Sequence, residues 1–277
     1  MRRSEWDVDG RHGRVVAREW TGAADPRHLV LLSHGYGEHV GRYDAVAAAL
    51  VDAGAVVVGP DHAGHGRSDG TSALVRDVDD LVADLHAVAR RAAEHHVGLP
   101  TVLLGHSMGG LVAARYSQVH RDELAALVLS APVLGRWSPL EALLGLPVPP
   151  GGLLDVPPID PAVLSRDPAV GRAYAADPLV WHGPFRRATL EALRDGLARV
   201  RGGAGLAGLP VLWVHGEADQ LVPLADTRTG VEELSGADVR ERTWPGARHE
   251  LLNETVRDEV LDEVRRFADE VLGAVRA

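Results

Sequence analysis

The sequence predicts an α/β fold with a mostly parallel central sheet, helices on both faces and an inserted cap. Three observations predict it. Short apolar runs recur at 29–32 (LVLL), 55–58 (AVVV), 102–104 (VLL), 127–129 (LVL) and 211–214 (VLWV). They have strand length and are continuous rather than alternating, as strands buried on both faces must be. Helix-length segments separate them, and such alternation implies right-handed crossovers between parallel strands. Finally, 11 of the 17 prolines fall between Pro132 and Pro184, in a stretch that cannot be central sheet because proline donates nothing to a ladder.

The elements follow in order. Arg2, Arg3, Glu5, Asp7 and Asp9 read as a charged surface lead-in to a first strand. Residues 13–20 alternate weakly and suit an antiparallel edge. Residues 43–51 and 77–95 space apolar side chains as helices do; in the second, Val78, Leu81, Val82, Leu85 and Val88 share one face. A helix over 108–119 follows the strand at 102–104. The strand at 126–131 leads directly into the proline-rich stretch, which ends in the flexible run Gly202-Gly203-Ala204-Gly205-Leu206-Ala207-Gly208. Residues 132–208 are therefore expected to form a cap over the sheet's C-terminal edge, with 1–131 and 209–277 as the core. The apolar content of 140–154 argues against a disordered linker. After a strand at 239–244, Val260, Val264, Phe267 and Val271 stripe a last helix over 256–275.

A chain of 277 residues, 45% hydrophobic and 25% charged, buries a sizeable core without staples. Its 29 basic and 39 acidic residues give a net charge of −10, which argues against nucleic acid and against docking on anionic lipid. Lysine is absent, which excludes Schiff-base and P-loop lysines. Cysteine is absent too, which excludes disulfides, thiolate nucleophiles and cysteine-ligated metal. No run approaches the roughly 18 apolar residues of a membrane span. No apolar signal region follows Arg3, so a cytoplasmic location is expected.

Gly105-His106-Ser107-Met108-Gly109 fits G-x-S-x-G between a strand and a helix, the context that makes this motif a nucleophile elbow. The helix N-terminus behind Ser107 offers N–H groups and a positive dipole end to an oxyanion. A serine nucleophile needs a base and an orienting acid, in the order Ser…Asp…His for this topology. The strand at 211–214 runs into His215-Gly216-Glu217-Ala218-Asp219, where Asp219 is the candidate acid, Glu217 its rival and Asp226 a poorer one. His249 follows the strand at 239–244 and is the candidate base. His34-Gly35-Tyr36-Gly37 follows the strand at 29–32, so the N–H groups of Tyr36 and Met108 are the expected oxyanion hole. His62 and His65 raise the question of a metal, but the glycines in their loop, Gly64 and Gly66, and the lack of a third ligand favour a structural loop. Neither metal nor organic cofactor is expected.

The sequence resembles the serine α/β-hydrolases, and among them the monoacylglycerol lipase (lysophospholipase-like) family, over nearly its whole length. The residues carrying the resemblance are His34-Gly35-Tyr36-Gly37-Glu38-His39 with Gly41-Arg42-Tyr43, then Asp61-His62-Ala63-Gly64-His65-Gly66-Arg67-Ser68. Gly105-His106-Ser107-Met108-Gly109-Gly110, Leu129-Ser130-Ala131-Pro132 and Asp177-Pro178-Leu179 complete them. The resemblance implies that Glu38, Arg42 and Tyr174 line the pocket for the alcohol end of the substrate. Taken alone, Glu38 and Arg42 read as a surface ion pair. Ala63 stands where many relatives carry arginine, which removes a brace from that loop.

The expected function is serine carboxylester hydrolysis of monoacylglycerols to fatty acid and glycerol through a Ser107–His249–Asp219 triad and an acyl-enzyme. A general carboxylesterase, lysophospholipase or lactonase would use the same residues, as would an acyltransferase where water is excluded; a non-catalytic binding protein would not need them intact. Leu140, Leu143, Leu144, Leu146, Leu153 and Leu154 suit a lid and acyl channel, or equally the cap's own core. The expected partners are a small-molecule lipid ester and, through the cap, a transient membrane or micelle contact.

Overall fold

The computed structural model describes residues 1–22, 25–234 and 236–276. Among these described residues eight strands form one sheet: β1 (Arg2–Gly10), β2 (Gly13–Thr21), β3 (His28–Ser33), β4 (Ala55–Pro60), β5 (Thr101–His106), β6 (Ala126–Ser130), β7 (Pro210–Gly216) and β8 (Asp238–Trp244), in the spatial order β1-β2-β4-β3-β5-β6-β7-β8. Only the pairings of β2, with β1 and with β4, are antiparallel; β4, β3, β5, β6, β7 and β8 run parallel. This is the α/β-hydrolase arrangement. The charged segment 2–10 is the edge strand itself rather than a lead-in to it. Its arginines and acids suit that place, since charge on an edge discourages pairing with another chain.

Among the described residues eight α-helices accompany the sheet: α1 (Asp44–Asp52), α2 (Val78–His95), α3 (Met108–Val119), α4 (Ser138–Leu144), α5 (Pro168–Ala176), α6 (Arg187–Arg201), α7 (Leu224–Glu232) and α8 (Arg257–Arg276). The continuous apolar strands divide their side chains between two cores. Leu29, Leu31, Leu103 and Leu127 pack with α2, α3 and α6 on one face. Val30, Leu32, Val102, Leu104 and Val128 pack with α1 and α8 on the other. Period-two alternation supplies both faces from one hydrophobic run. No helix among the described residues is long and apolar enough to cross a membrane.

Between β6 and β7 the chain carries α4, α5 and α6. Helix α6 packs against α2 and α3 as well as α4, tying this segment to the body of the sheet. The segment is also fastened to the loop after β3: the Trp181 N–H donates to the Gly37 carbonyl at 2.7 Å, and His39 Nε2 lies 2.9 Å from an Asp177 carboxylate oxygen. Parallel neighbours bring the C-terminal ends of β3, β5, β7 and β8 to one edge, where an open α/β sheet builds its sites.

Candidate active site

Ser107 sits at the sharp turn between β5 and α3 with φ 54° and ψ −120°. That left-handed conformation is strained for a residue with a side chain, and its neighbours impose it. The Ser107 N–H donates to the Ser130 carbonyl at 3.0 Å, and the Ser107 carbonyl accepts from Val133 at 3.0 Å. The flanking glycines make room for the turn: a Cβ on Gly109 would lie 2.1 Å from the Ser33 carbonyl oxygen, and one on Gly105 2.4 Å from that of Gly109.

The loops after β7 and β8 are tied by a hydrogen bond from the Ala218 N–H to the Ala247 carbonyl, 2.9 Å. They bring His249 Nδ1 to 2.7 Å from Asp219 Oδ2, leaving Nε2 as the ring nitrogen free to work. The other carboxylate oxygen, Oδ1, accepts the N–H groups of Leu221 and Val222, both at 2.9 Å. A second imidazole, His215, stands 3.4 Å from Oδ2. Trp213 Nε1–H donates to His215 Nδ1 at 3.1 Å, so His215 carries its proton on Nε2 and donates it to the Val222 carbonyl at 2.9 Å. Burial by itself would raise the Asp219 carboxyl, but His249 and His215 outweigh it and hold the group far below the usual carboxylate range. Burial would likewise lower His249, yet the Asp219 charge and hydrogen bond lift it above 6.5. The rival acids are elsewhere. Exposed Glu217 accepts from the Thr243 hydroxyl at 2.8 Å, and Asp226 accepts from the Ser138 N–H at 2.6 Å.

Ser107 and His249 open on one cavity of about 320 Å³ that Tyr36, Met108, Glu38, Arg42 and Tyr174 also line. Most of the rest of its wall is apolar, including Trp137, Leu143, Ile159, Leu164 and Phe185 from the segment between β6 and β7. Of the leucines considered for a channel, Leu143 lines the cavity, Leu140 and Leu154 are buried in the core, and Leu146 is exposed. Among the described residues no acceptor takes the backbone N–H of Tyr36 or of Met108. Two free donors beside Ser107, one at the N-terminus of α3, are what a developing oxyanion requires.

Glu38 and Arg42 are a buried pair, not the surface pair that their spacing suggested. Glu38 Oε1 accepts from the Gly35 N–H and the Tyr43 hydroxyl, each at 2.7 Å, while Oε2 accepts from Arg42 at 2.6 Å. Glu38 thus shapes the turn that presents the Tyr36 N–H. Burial opposes its charge, but Arg42 chiefly, with His106 and His34, lowers its pKa to about 2. Arg42 also makes a forked pair with Glu250, both contacts 2.7 Å, and stacks over the Tyr174 ring at 5.1 Å. Glu250 is a site residue that sequence reasoning missed; its one signal was adjacency to His249. The Tyr174 hydroxyl, pushed up to about 12 by burial, lines the same polar end of the cavity.

The loop after β4 braces this end. His62 Nε2 is 2.9 Å from the Ser33 hydroxyl, and His34 Nε2 accepts the His62 backbone N–H at 2.9 Å. Burial holds His34 and His65 near pKa 4, so both stay neutral. Asp61 ties the loop that carries Ala63. It accepts from the Val40 and Arg67 N–H groups at 2.9 Å, and its carbonyl accepts from the Ser68 hydroxyl at 2.6 Å.

Comparison with known proteins agrees with this geometry. Residues 24–256 match the serine aminopeptidase S33 family. The chain is 39% identical over 268 residues to the monoacylglycerol lipase of Mycolicibacterium smegmatis, covering 95% of each protein. It is 30% identical to human monoglyceride lipase, covering 95% of this chain and 89% of that protein. The solved structure of Paleococcus ferrophilus monoacylglycerol lipase superposes with a TM-score of 0.75 at 26% identity, over 94% of this chain and 98% of that one. With the family match spanning most of the chain and these relatives aligned almost end to end, the protein belongs to the serine aminopeptidase S33 family of α/β-hydrolases.

Proposed function

We propose that this protein is a serine carboxylester hydrolase that cleaves monoacylglycerols to fatty acid and glycerol. The observation that carries the reading is one apolar cavity with a polar end, on which Ser107, the Asp219-bonded His249 and two free backbone N–H groups converge. The similarity to lipases named for this substrate supports it. In this reading His249 Nε2 takes the Ser107 proton as Oγ attacks the ester carbonyl, and the Tyr36 and Met108 N–H groups stabilise the oxyanion. Collapse expels glycerol, which takes the proton back from His249, and water then cleaves the acyl-enzyme by the same route. Asp219 orients His249 and stabilises its charged form.

Residues 132–208 act as a cap on a core of 1–131 and 209–277, and Tyr174, Arg42 and Glu38 form the wall that receives glycerol hydroxyls. The exposed Leu146 and Val148 support transient contact with a membrane or micelle through that cap, and a cytoplasmic enzyme would meet its substrate there. The test is a rate comparison across mono-, di- and triacylglycerols. A second acyl chain would leave buried polar groups unpaired at about 1–3 kcal/mol each, so monoacylglycerols should be favoured at least about tenfold. Tyr174→Phe should narrow that gap while sparing a nitrophenyl ester; Glu38→Gln is a poorer probe because it also loosens the Gly35 turn. Equal rates on mono- and triacylglycerol would leave a serine esterase of another substrate.

A further inference from the structure

At the end of α3 farthest from Ser107, three side chains with metal-ligating atoms converge. His86 comes from α2, His120 caps the C-terminus of α3, and Glu123 lies in the 3-10 turn that follows. His86 Nε2 is 3.0 Å from Glu123 Oε1, and His120 Nδ1 is 3.5 Å from the same oxygen. All three donor atoms lie within 4.8 Å of one another. None of the three residues lines the cavity that contains Ser107.

We infer that His86, His120 and Glu123 form a binding site for a divalent transition-metal ion of the zinc type. Tetrahedral zinc holds nitrogen and oxygen ligands about 2.0–2.2 Å away, so neighbouring ligands stand roughly 3.3 Å apart. The two separations from the Glu123 oxygen, 3.0 and 3.5 Å, fall on either side of that edge, while the two histidine nitrogens, within 4.8 Å of each other, must turn out of their ring stack to meet on one ion. Two imidazoles and one carboxylate favour zinc, nickel or copper over magnesium or calcium, which take oxygen ligands. The remaining carboxylate oxygen of Glu123 accepts from the Tyr116 hydroxyl at 2.9 Å, an outer contact of the kind that fixes a ligating carboxylate. The Glu123 N–H donates to the His120 carbonyl at 3.2 Å, which sets the spacing of two ligands in one turn. The His86 and His120 rings stack with centroids 3.7 Å apart. Their side chains are 25% and 21% exposed and that of Glu123 46%, which leaves a path for the ion and a fourth position for water. Bound metal would clamp α2 to the turn after α3.

The test uses the full-length, tag-free protein stripped of metal and titrated with Zn²⁺ by calorimetry and with Co²⁺ by absorption. One equivalent of Zn²⁺ should bind, the melting temperature should rise with Zn²⁺ concentration, and Co²⁺ should give a four- or five-coordinate spectrum. The double variant His86→Ala/His120→Ala should lose the site. Tyr116→Phe, which keeps the buried ring, should weaken it about 10- to 100-fold. Circular dichroism and ester hydrolysis of the zinc-free variants serve as folding controls. Failure of the wild type to bind Zn²⁺ stoichiometrically would overturn the assignment. Undiminished binding by the folded double variant would overturn it equally.

Discussion

Replacing Asp219 with asparagine isolates the chemistry of the candidate triad from its packing. Asparagine is nearly isosteric, and the structure dictates how it will sit. The Leu221 and Val222 N–H groups both point at Oδ1, so they will hold the amide oxygen there and turn the NH₂ toward His249. The NH₂ donates where Oδ2 now accepts at 2.7 Å. His249 must then accept at Nδ1 and carry its proton on Nε2, the nitrogen that should take the Ser107 proton. An inverted tautomer of this kind lowers kcat about 10⁴-fold in serine proteases, equivalent to roughly 5.5 kcal/mol of transition-state stabilisation. The assay is kcat and KM on a monoacylglycerol, with Glu217→Gln as the comparison. Glu217 is exposed and bonded to Thr243, so its variant should stay within about twofold of wild type. Because the folded Asp219 pKa is depressed, its contribution to stability is present above the unfolded carboxylate pKa and lost as pH falls. The comparison therefore belongs at neutral pH with the melting temperature recorded. A folded Asp219→Asn enzyme within tenfold of wild type would refute the reasoning, and a larger loss in Glu217→Gln would identify the other acid.

Other outcomes follow from the same geometry. In the pH profile, kcat/KM should rise as His249 loses its proton, with a midpoint above 6.5 because Asp219 raises it; His106, held near 4 by burial, adds no second step in that range. The stability that His249 gains from its raised pKa is present below the unfolded value and lost as pH climbs through the folded one, which melting curves across pH 6–9 will check. Arg42→Met leaves the buried carboxylates of Glu38 and Glu250 unpaired and should cost about 3–5 kcal/mol, lowering the melting temperature by at least about 6 °C at neutral pH. The loss should shrink as pH falls, because Glu38 without Arg42 loses the chief cause of its lowered pKa and takes up a proton more readily. Gly109→Ala drives a Cβ into the Ser33 carbonyl; overpacking against backbone should cost about 1–3 kcal/mol, and calorimetry with a fluorophosphonate labelling rate will show whether stability and the Ser107 turn suffer together.

Much of the fold and site was legible because the signals were local. Val30 and Leu31 each bury on opposite faces of one sheet, so their continuous run announced a doubly covered strand. The elbow at Ser107 needs glycines at fixed offsets, and chain order alone separated His249 from the other histidines. The sequence by itself therefore determined the fold class, the candidate nucleophile and base, and the exclusion of thiol and lysine chemistry. It preferred Asp219 and kept Glu217 as a rival, since both follow β7 within three residues; the close approach of the β7 and β8 loops is what brings Asp219 to His249. It read Arg2 to Gly10 as a lead-in, because an edge strand carries charges that resemble any polar terminus. Its one sign of Glu250 was adjacency to His249, and the forked pair with Arg42 joins residues 208 positions apart. Charges so distant in the chain have no shared periodicity, and whether such a pair is solvated or buried is settled only when the segments carrying them pack together.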